Sequence, residues 1–257
     1  MNTTDFNNVF DKSVSTYNAS LESKESIFES FRSQKEIYGY IDNGDYPPDS
    51  VAVAISEYTN KELYNKYEEH NRKKLILGYK NSPQTHAGYT NLDSRHIMMS
   101  VLLFSWLKQE VGTVVEIGGG FGNWLRLNTF QSFDKWSIID MPHVGLLQRW
   151  FLAKEKVDES RYELVSAFDY DGWNCKNSGY DLIIGSHSLS EFALPIFEEY
   201  FNKVVLKSKY LFFCYHLWAS DSIAKKMETI EKNFTLVNSA LSENNEVANS
   251  LYKNKWP

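Results

Sequence analysis

Apolar residues recur in two different rhythms along this chain. Up to about Lys74, Phe6, Val9, Phe10, Tyr17, Leu21, Ile27, Phe28 and Phe31 stand at mostly helical spacing among Asn, Ser, Glu and Lys, the pattern of amphipathic helices. Gly44-Asp45-Tyr46-Pro47-Pro48 interrupts them, because two prolines remove two backbone donors and drive the preceding residue out of helical geometry. Helix is expected to resume from Ser50 to Leu77. Gly78 to Leu92, with Pro83, Gly88 and several Asn and Thr, reads as a loop. From Arg95 to Gln109 the residues Ile97, Met98, Val101, Leu102, Phe104, Trp106 and Leu107 describe a buried helix, with Asp93 or Ser94 as its cap.

Beyond that helix, short apolar runs alternate with helical patterns, as in a parallel sheet covered on both faces. Strands are predicted at Thr113-Ile117, Trp136-Ile139, Tyr162-Val165, Asp181-Gly185 and Tyr210-Tyr215. Helices are predicted at Asn123 to Gln131, His143 to Lys156, Glu191 to Lys203 and Asp221 to Asn233. Runs at Thr235-Leu236-Val237 and Ser250-Leu251-Tyr252 would finish the sheet as a hairpin-like pair at one edge. The chain therefore divides into a helical N-terminal cap on the substrate side, 1–92, and an α/β domain, 93–257.

Composition narrows the function. With 42% hydrophobic and 23% charged residues over 257 positions, the chain is ordinary globular material, and its 15% aromatic share suits platforms for flat rings. A net charge of -6 with no clustered basic face argues against nucleic acid; Arg72-Lys73-Lys74, close after Glu68 and Glu69, reads as a solvated helix face. Two cysteines, Cys175 and Cys214, build no disulfide framework, and neither a signal peptide nor an apolar stretch near the ~20 residues of a membrane span is present, so a cytoplasmic location is expected.

Chemistry concentrates after the first predicted strand. Val114-Val115-Glu116-Ile117 runs into Gly118, Gly119, Gly120 and Gly122, a turn in which glycine lets the backbone approach a ligand closely. One strand-helix-strand step later Ile139-Asp140 delivers a carboxylate suited to ribose hydroxyls. That pair serves a nicotinamide dinucleotide as well as S-adenosylmethionine. Asp140 would also serve as a helix N-cap, and the glycines as an ordinary tight turn.

The succession Val114 to Gly122, Ile139-Asp140-Met141-Pro142-His143-Val144 and Asp181-Leu182-Ile183-Ile184-Gly185-Ser186-His187-Ser188-Leu189-Ser190-Glu191-Phe192 resembles the motifs of class I S-adenosylmethionine-dependent methyltransferases. With its helical N-terminal part and the Ser-His-Ser-Leu-Ser-Glu stretch, the chain is similar to the sugar O-methyltransferases assigned to bacterial glycan clusters, over roughly Lys80 to Pro257. The resemblance implies a Rossmann-like fold with a mostly parallel seven-stranded sheet, S-adenosyl-L-methionine as cofactor, and a sugar acceptor, nucleotide-activated or another glycan precursor, in surface polysaccharide biosynthesis. It implies that Glu116, Gly118, Gly119, Gly120, Gly122, Asp140, Met141 and Ser186 hold the cofactor, and that Asp169 or Asp171 meets adenine. A nicotinamide-dependent oxidoreductase, a silent binding protein and methylation of another small molecule remain the alternatives. Oligomeric state is open, a homodimer being compatible with the sequence.

Methyl transfer to a hydroxyl needs an aligned acceptor and a group that removes its proton. His187, after the strand Asp181 to Gly185, is the first candidate for base; Glu191, about one helical turn on, and His216, at the end of Tyr210 to Tyr215, are the others. Each has a plain structural alternative as a turn, cap or core residue. Arg95, His96 and Tyr89 are expected on the acceptor side, Arg95 because a guanidinium grips a diphosphate with two prongs. Asp169 and Asp171 do not make a compelling ligand set, and no metal is expected.

Overall fold

The structure, a computed structural model, describes residues 28, 29, 31–33, 60–72, 74, 77, 90–169, 179–217, 221–242 and 246–256. Its centre is a seven-stranded sheet in the order β3-β2-β1-β4-β5-β7-β6. The strands are β1 Thr113–Ile117, β2 Lys135–Asp140, β3 Tyr162–Ser166, β4 Tyr180–Ser186, β5 Ser208–His216, β6 Phe234–Ser242 and β7 Val247–Asn254. β1 to β5 run parallel, while β7 lies antiparallel between β5 and β6. The expected terminal pair is therefore a true hairpin, with β6 at the edge.

Strict alternation along the strands divides the core. Val114, Trp136, Ile138, Leu182, Ile184, Phe212 and Leu251 face one side. Val115, Ile117, Ile139, Ile183, Leu211, Phe213 and Tyr252 face the other. Because both faces are apolar, each needs a covering of helices. The first is covered by α2 Asn91–Trp106, α3 Asn123–Leu127 and α4 Pro142–Lys154, through Leu102, Trp124, Leu147 and Phe151. The second is covered by α5 Ser188–Glu191, α6 Leu194–Lys203 and α7 Asp221–Asn233, through Leu189, Phe197, Phe201 and Ile230.

Several predicted boundaries move for local reasons. α2 starts at Asn91 rather than Arg95: Thr90 is the cap, its side chain accepts from the Asp93 amide, and the Asp93 carboxylate accepts from the Thr90 amide. Asp93 is thus the third helical residue of a capping box. α3 ends at Leu127, short of Gln131, where the Asn128 side chain donates to the Trp124 carbonyl at 2.8 Å. The helix expected from Glu191 begins only at Leu194 as α6, since Pro195 has no amide to donate back to Glu191, and a separate turn of helix, α5, ends at Glu191. In the N-terminal part α1, Lys61–Asn71, is capped by Asn60, ten residues after the expected start. Most of the helical part predicted before Ser50, residues 50–59 of the helix expected from Ser50, and most of the loop Gly78 to Leu92 fall outside the described residues, and with them most of the cap expected over 1–92.

One buried ionic group ties the glycine turn's helix to its neighbours. Arg126 of α3, almost fully enclosed, lies 3.6 Å from the Asp93 carboxylate and 3.5 Å from that of Glu155. Burial alone would raise the pKa of Asp93, but Arg126 and Arg32 outweigh it and hold it at about 2. Breaking such a group strands buried charge. Arg126→Met is therefore expected to cost ~3 kcal/mol or more of unfolding free energy in urea titration, as the loss of one partner from a buried ion pair does.

Candidate functional site

The C-terminal ends of β1, β2, β4 and β5 meet at one edge of the sheet, where open α/β sheets place their ligands. From β1 the chain turns through Gly118, Gly119, Gly120 and Gly122 into α3. Gly118 has φ +69, and a Cβ there would lie 2.5 Å from the Cβ of Ser188. A Cβ on Gly119 would lie 2.5 Å from Ile138. Glycine at these two positions is thus required by contact, and at Gly118 by conformation as well. The turn is fastened beneath by the Gly118 amide donating to the Ile139 carbonyl at 2.8 Å.

Two carboxyl groups lie under and beside this turn. Glu116 is fully enclosed and accepts from the Trp136 indole at 3.0 Å. Burial pushes its pKa up to about 8, against the Trp136 hydrogen bond and with help from Asp140. Asp140, closing β2, accepts from the amides of Gly120 at 3.1 Å and Met141 at 2.7 Å and from Gln148 at 3.1 Å. Burial again dominates and raises its pKa to about 7, while those donors oppose it. Asp140 consequently braces the glycine turn. Gln148 of α4 reinforces it by donating also to the Gly120 carbonyl at 2.8 Å. Sequence reasoning missed Gln148; the signal was a polar residue in register with Leu147, Phe151 and Leu152 on an otherwise apolar helix face.

Across the edge, β4 ends at Ser186 and turns through His187 into α5. His187 has φ +65, a conformation that costs a residue with a side chain roughly 1–3 kcal/mol and collects at working sites. Its amide donates to the Cys214 carbonyl at 3.2 Å, and its carbonyl accepts from the Ser190 hydroxyl at 2.6 Å and the Glu191 amide at 3.0 Å. Ser188 then donates from its hydroxyl to the Ile117 carbonyl, joining this turn to the glycine turn. Lys226 of α7, fully buried, donates to the carbonyls of Ser190 at 2.6 Å and Phe192 at 2.5 Å. Ser188 and Lys226 were not singled out from sequence, since both act on backbone that only the fold brings near.

The three candidate proton acceptors come together. One potential ligand atom each from His187, Glu191 and His216 lies within 4.8 Å of the others, and the two imidazole centroids are 4.8 Å apart. Arg95, from α2 and buried, hydrogen-bonds Nε2 of His187. A guanidinium only donates, so this nitrogen carries a lone pair and the ring proton sits on Nδ1. Burial first, then the Arg95 charge, holds His187 well below the usual imidazole pKa, and the same two causes lower His216. Burial raises Glu191, opposed by Arg95 and Lys226.

The remaining expected residues scatter around this edge. His96 faces α3: its Nδ1 accepts from Asn123 at 3.1 Å and its ring lies 5.6 Å from that of Trp124. Burial and Arg95 lower its pKa to about 3, so it stays neutral. Met141 is the residue before α4, and Asp169 is exposed beyond β3, its amide donating to Ser166. Tyr89 and Asp171 lie outside the described residues.

With this geometry in place, comparison with known proteins gives the following. No protein-family model matches the sequence, and no curated protein matches it. Among solved structures, the PH0226 protein of Pyrococcus horikoshii OT3 superposes with a TM-score of 0.52 at 12% identity, over 65% of this chain and 93% of its own. The methyltransferase domain of bacterial CtHen1 gives 0.48 at 13% identity, over 60% and 96%. An rRNA methylase of Streptococcus thermophilus gives 0.46 at 11%, over 60% and 95%. At such identities the likeness to PH0226 is one of fold. The strand order with its antiparallel seventh strand is that of the class I methyltransferase fold, as expected from the sequence.

Glu116 takes up a proton on folding at any pH between its ordinary value of 4.5 and about 8. Glu116 therefore contributes a fall in stability as pH rises through that window, of up to about 1.4 kcal/mol per pH unit, set against the rise that His96, His187 and His216 contribute below their ordinary value of 6.5. Glu116→Gln is expected to remove that slope; urea titrations at pH 5 to 8 with parallel curves for both proteins would contradict the assignment.

Proposed function

We propose that this protein is an S-adenosylmethionine-dependent O-methyltransferase acting on a sugar hydroxyl. The observation that carries the reading is the meeting, at one sheet edge, of the braced glycine turn with the cluster of His187, Glu191 and His216. A cofactor seated on the turn would present its reactive end to that cluster. When bound, S-adenosylmethionine supplies a sulfonium methyl already activated for displacement, so the chain needs only to align an acceptor and take charge of its proton.

Residues of this chain divide that work. Gly118, Gly119 and Gly120 form the turn on which the methionine part would rest, with Glu116 beneath, and Ser186 and Met141 border the same edge. Asp140 orders the turn and offers its carboxylate toward ribose hydroxyls. His187, Glu191 and His216 form the polar wall against which an acceptor hydroxyl is deprotonated, and Arg95 can swing from His187 to an anionic group on the acceptor, such as the diphosphate of a nucleotide-linked sugar. The sugar assignment rests on the resemblance carried by the helical N-terminal part together with Ser186 to Glu191.

A nicotinamide-dependent oxidoreductase shares the glycine turn and Asp140. The sheet weighs against it: dinucleotide-binding folds continue with parallel strands in the order 3-2-1-4-5-6, whereas here β7 enters antiparallel beside β5.

Calorimetric titration tests the reading. S-adenosylhomocysteine should bind and NAD should not; the reverse overturns it. Asp140→Ala should weaken S-adenosylhomocysteine binding, whereas His187→Ala should retain it while methyl transfer to the acceptor falls about 100-fold or more. Retained turnover in His187→Ala would remove His187 from the chemistry.

A further inference from the structure

Three side chains from separate elements converge beside the glycine turn: His187 from the β4–α5 turn, Glu191 from α5 and His216 from the end of β5. From these positions we propose that His187, Glu191 and His216 bind one divalent transition-metal ion at the acceptor edge of the site. The expectation of no metal considered only Asp169 and Asp171, and this set is a different one, assembled by the fold.

The dimensions suit such an ion. Donors sharing one ion at ~2.1 Å lie at most ~4.2 Å apart, so ligand atoms now within 4.8 Å of one another need move by less than about 1 Å, within reach of side-chain rotation. Two imidazoles and one carboxylate suit Zn²⁺, Mn²⁺, Fe²⁺ or Co²⁺, whereas Mg²⁺ and Ca²⁺ prefer all-oxygen sets. The backbone beneath is firmly held. His187 keeps its φ of +65 through bonds to Cys214, Ser190 and Glu191, and Lys226 anchors the carbonyls on either side of Glu191.

Arg95 now fills part of this site. Its guanidinium stands against the lone pair of His187 Nε2, so an unprotonated imidazole nitrogen faces positive charge at this spot. An incoming ion competes with Arg95, which turns away when the ion binds. Three protein ligands leave coordination positions open, and two neighbouring hydroxyls of a sugar would fill them. This deepens the proposed function and rests on it for the acceptor: the ion, when bound, would lower the pKa of a coordinated sugar hydroxyl, so that His187, Glu191 and His216 would act on the acceptor proton through the ion rather than by accepting it themselves.

The test is calorimetric titration of tag-free, chelator-treated protein with Mn²⁺ and Zn²⁺, together with the visible absorption of the Co²⁺ form. One ion per chain is expected, with Co²⁺ bands of nitrogen and oxygen coordination. Glu191→Gln and His216→Ala should each weaken binding at least tenfold, and Arg95→Met, lacking the competing charge, should tighten it. Absence of a stoichiometric ion in the wild type, a result that depends on no variant folding, overturns the proposal. So does undiminished binding in both Glu191→Gln and His216→Ala. S-adenosylhomocysteine binding measured with chelator present separates the two readings: an ion bound without S-adenosylhomocysteine binding leaves the metal site standing and removes the methyltransferase, and the converse removes only the metal.

Discussion

The contact between two turns governs this structure. The Ser188 hydroxyl donates to the Ile117 carbonyl, and the Cβ of Ser188 stands where any side chain at Gly118 would be. β1 and β4 are neighbours in the sheet, so their loops leave side by side and must share the same space. Glycine at Gly118 makes that sharing feasible. The consequence is functional, because the β1–β4 pairing, the Ser188–Ile117 hydrogen bond and the missing side chain at Gly118 together hold the glycine turn beside the strained His187.

Around that contact the site is built from buried titratable groups. Glu116 and Asp140 are carboxyl groups whose burial resists ionisation, and each is held by donors from the loop or the adjoining strand and helix. Opposite them the imidazoles of His187 and His216 are neutral, with Arg95 supplying the positive charge. A low dielectric strengthens every one of these interactions and makes an unpaired member costly. Such an edge suits the ligand proposed above, which brings both charge and hydrogen-bonding groups.

The sheet was legible in the sequence because its strands carry runs of apolar residues on both faces, and strand ends such as Thr113 and Ile117 stand beside glycine or polar punctuation. Helix ends were less so. Thr90 as cap of α2, the early stop of α3 at Leu127 and the break before Leu194 depend on side-chain bonds and on Pro195, which periodicity does not register. The candidate site was half visible. Gly118 to Gly122, Asp140 and His187 stand out by type and spacing, and the spatial union of His187, Glu191 and His216 follows from strand ends that the pattern placed at one edge. Gln148, Ser188 and Lys226 were hidden because their partners are backbone atoms distant in sequence. Arg95 was expected near the acceptor, yet its engagement with His187 required α2 to be placed on the sheet.

The most direct measurement is a crystal structure with S-adenosylhomocysteine bound. The account predicts the thioether sulfur between the Gly118–Gly120 turn and His187, with the ribose beside Asp140 and the open side of the sulfur facing Glu191 and His216. A ligand seated elsewhere, or a sulfur turned away from that cluster, would contradict it.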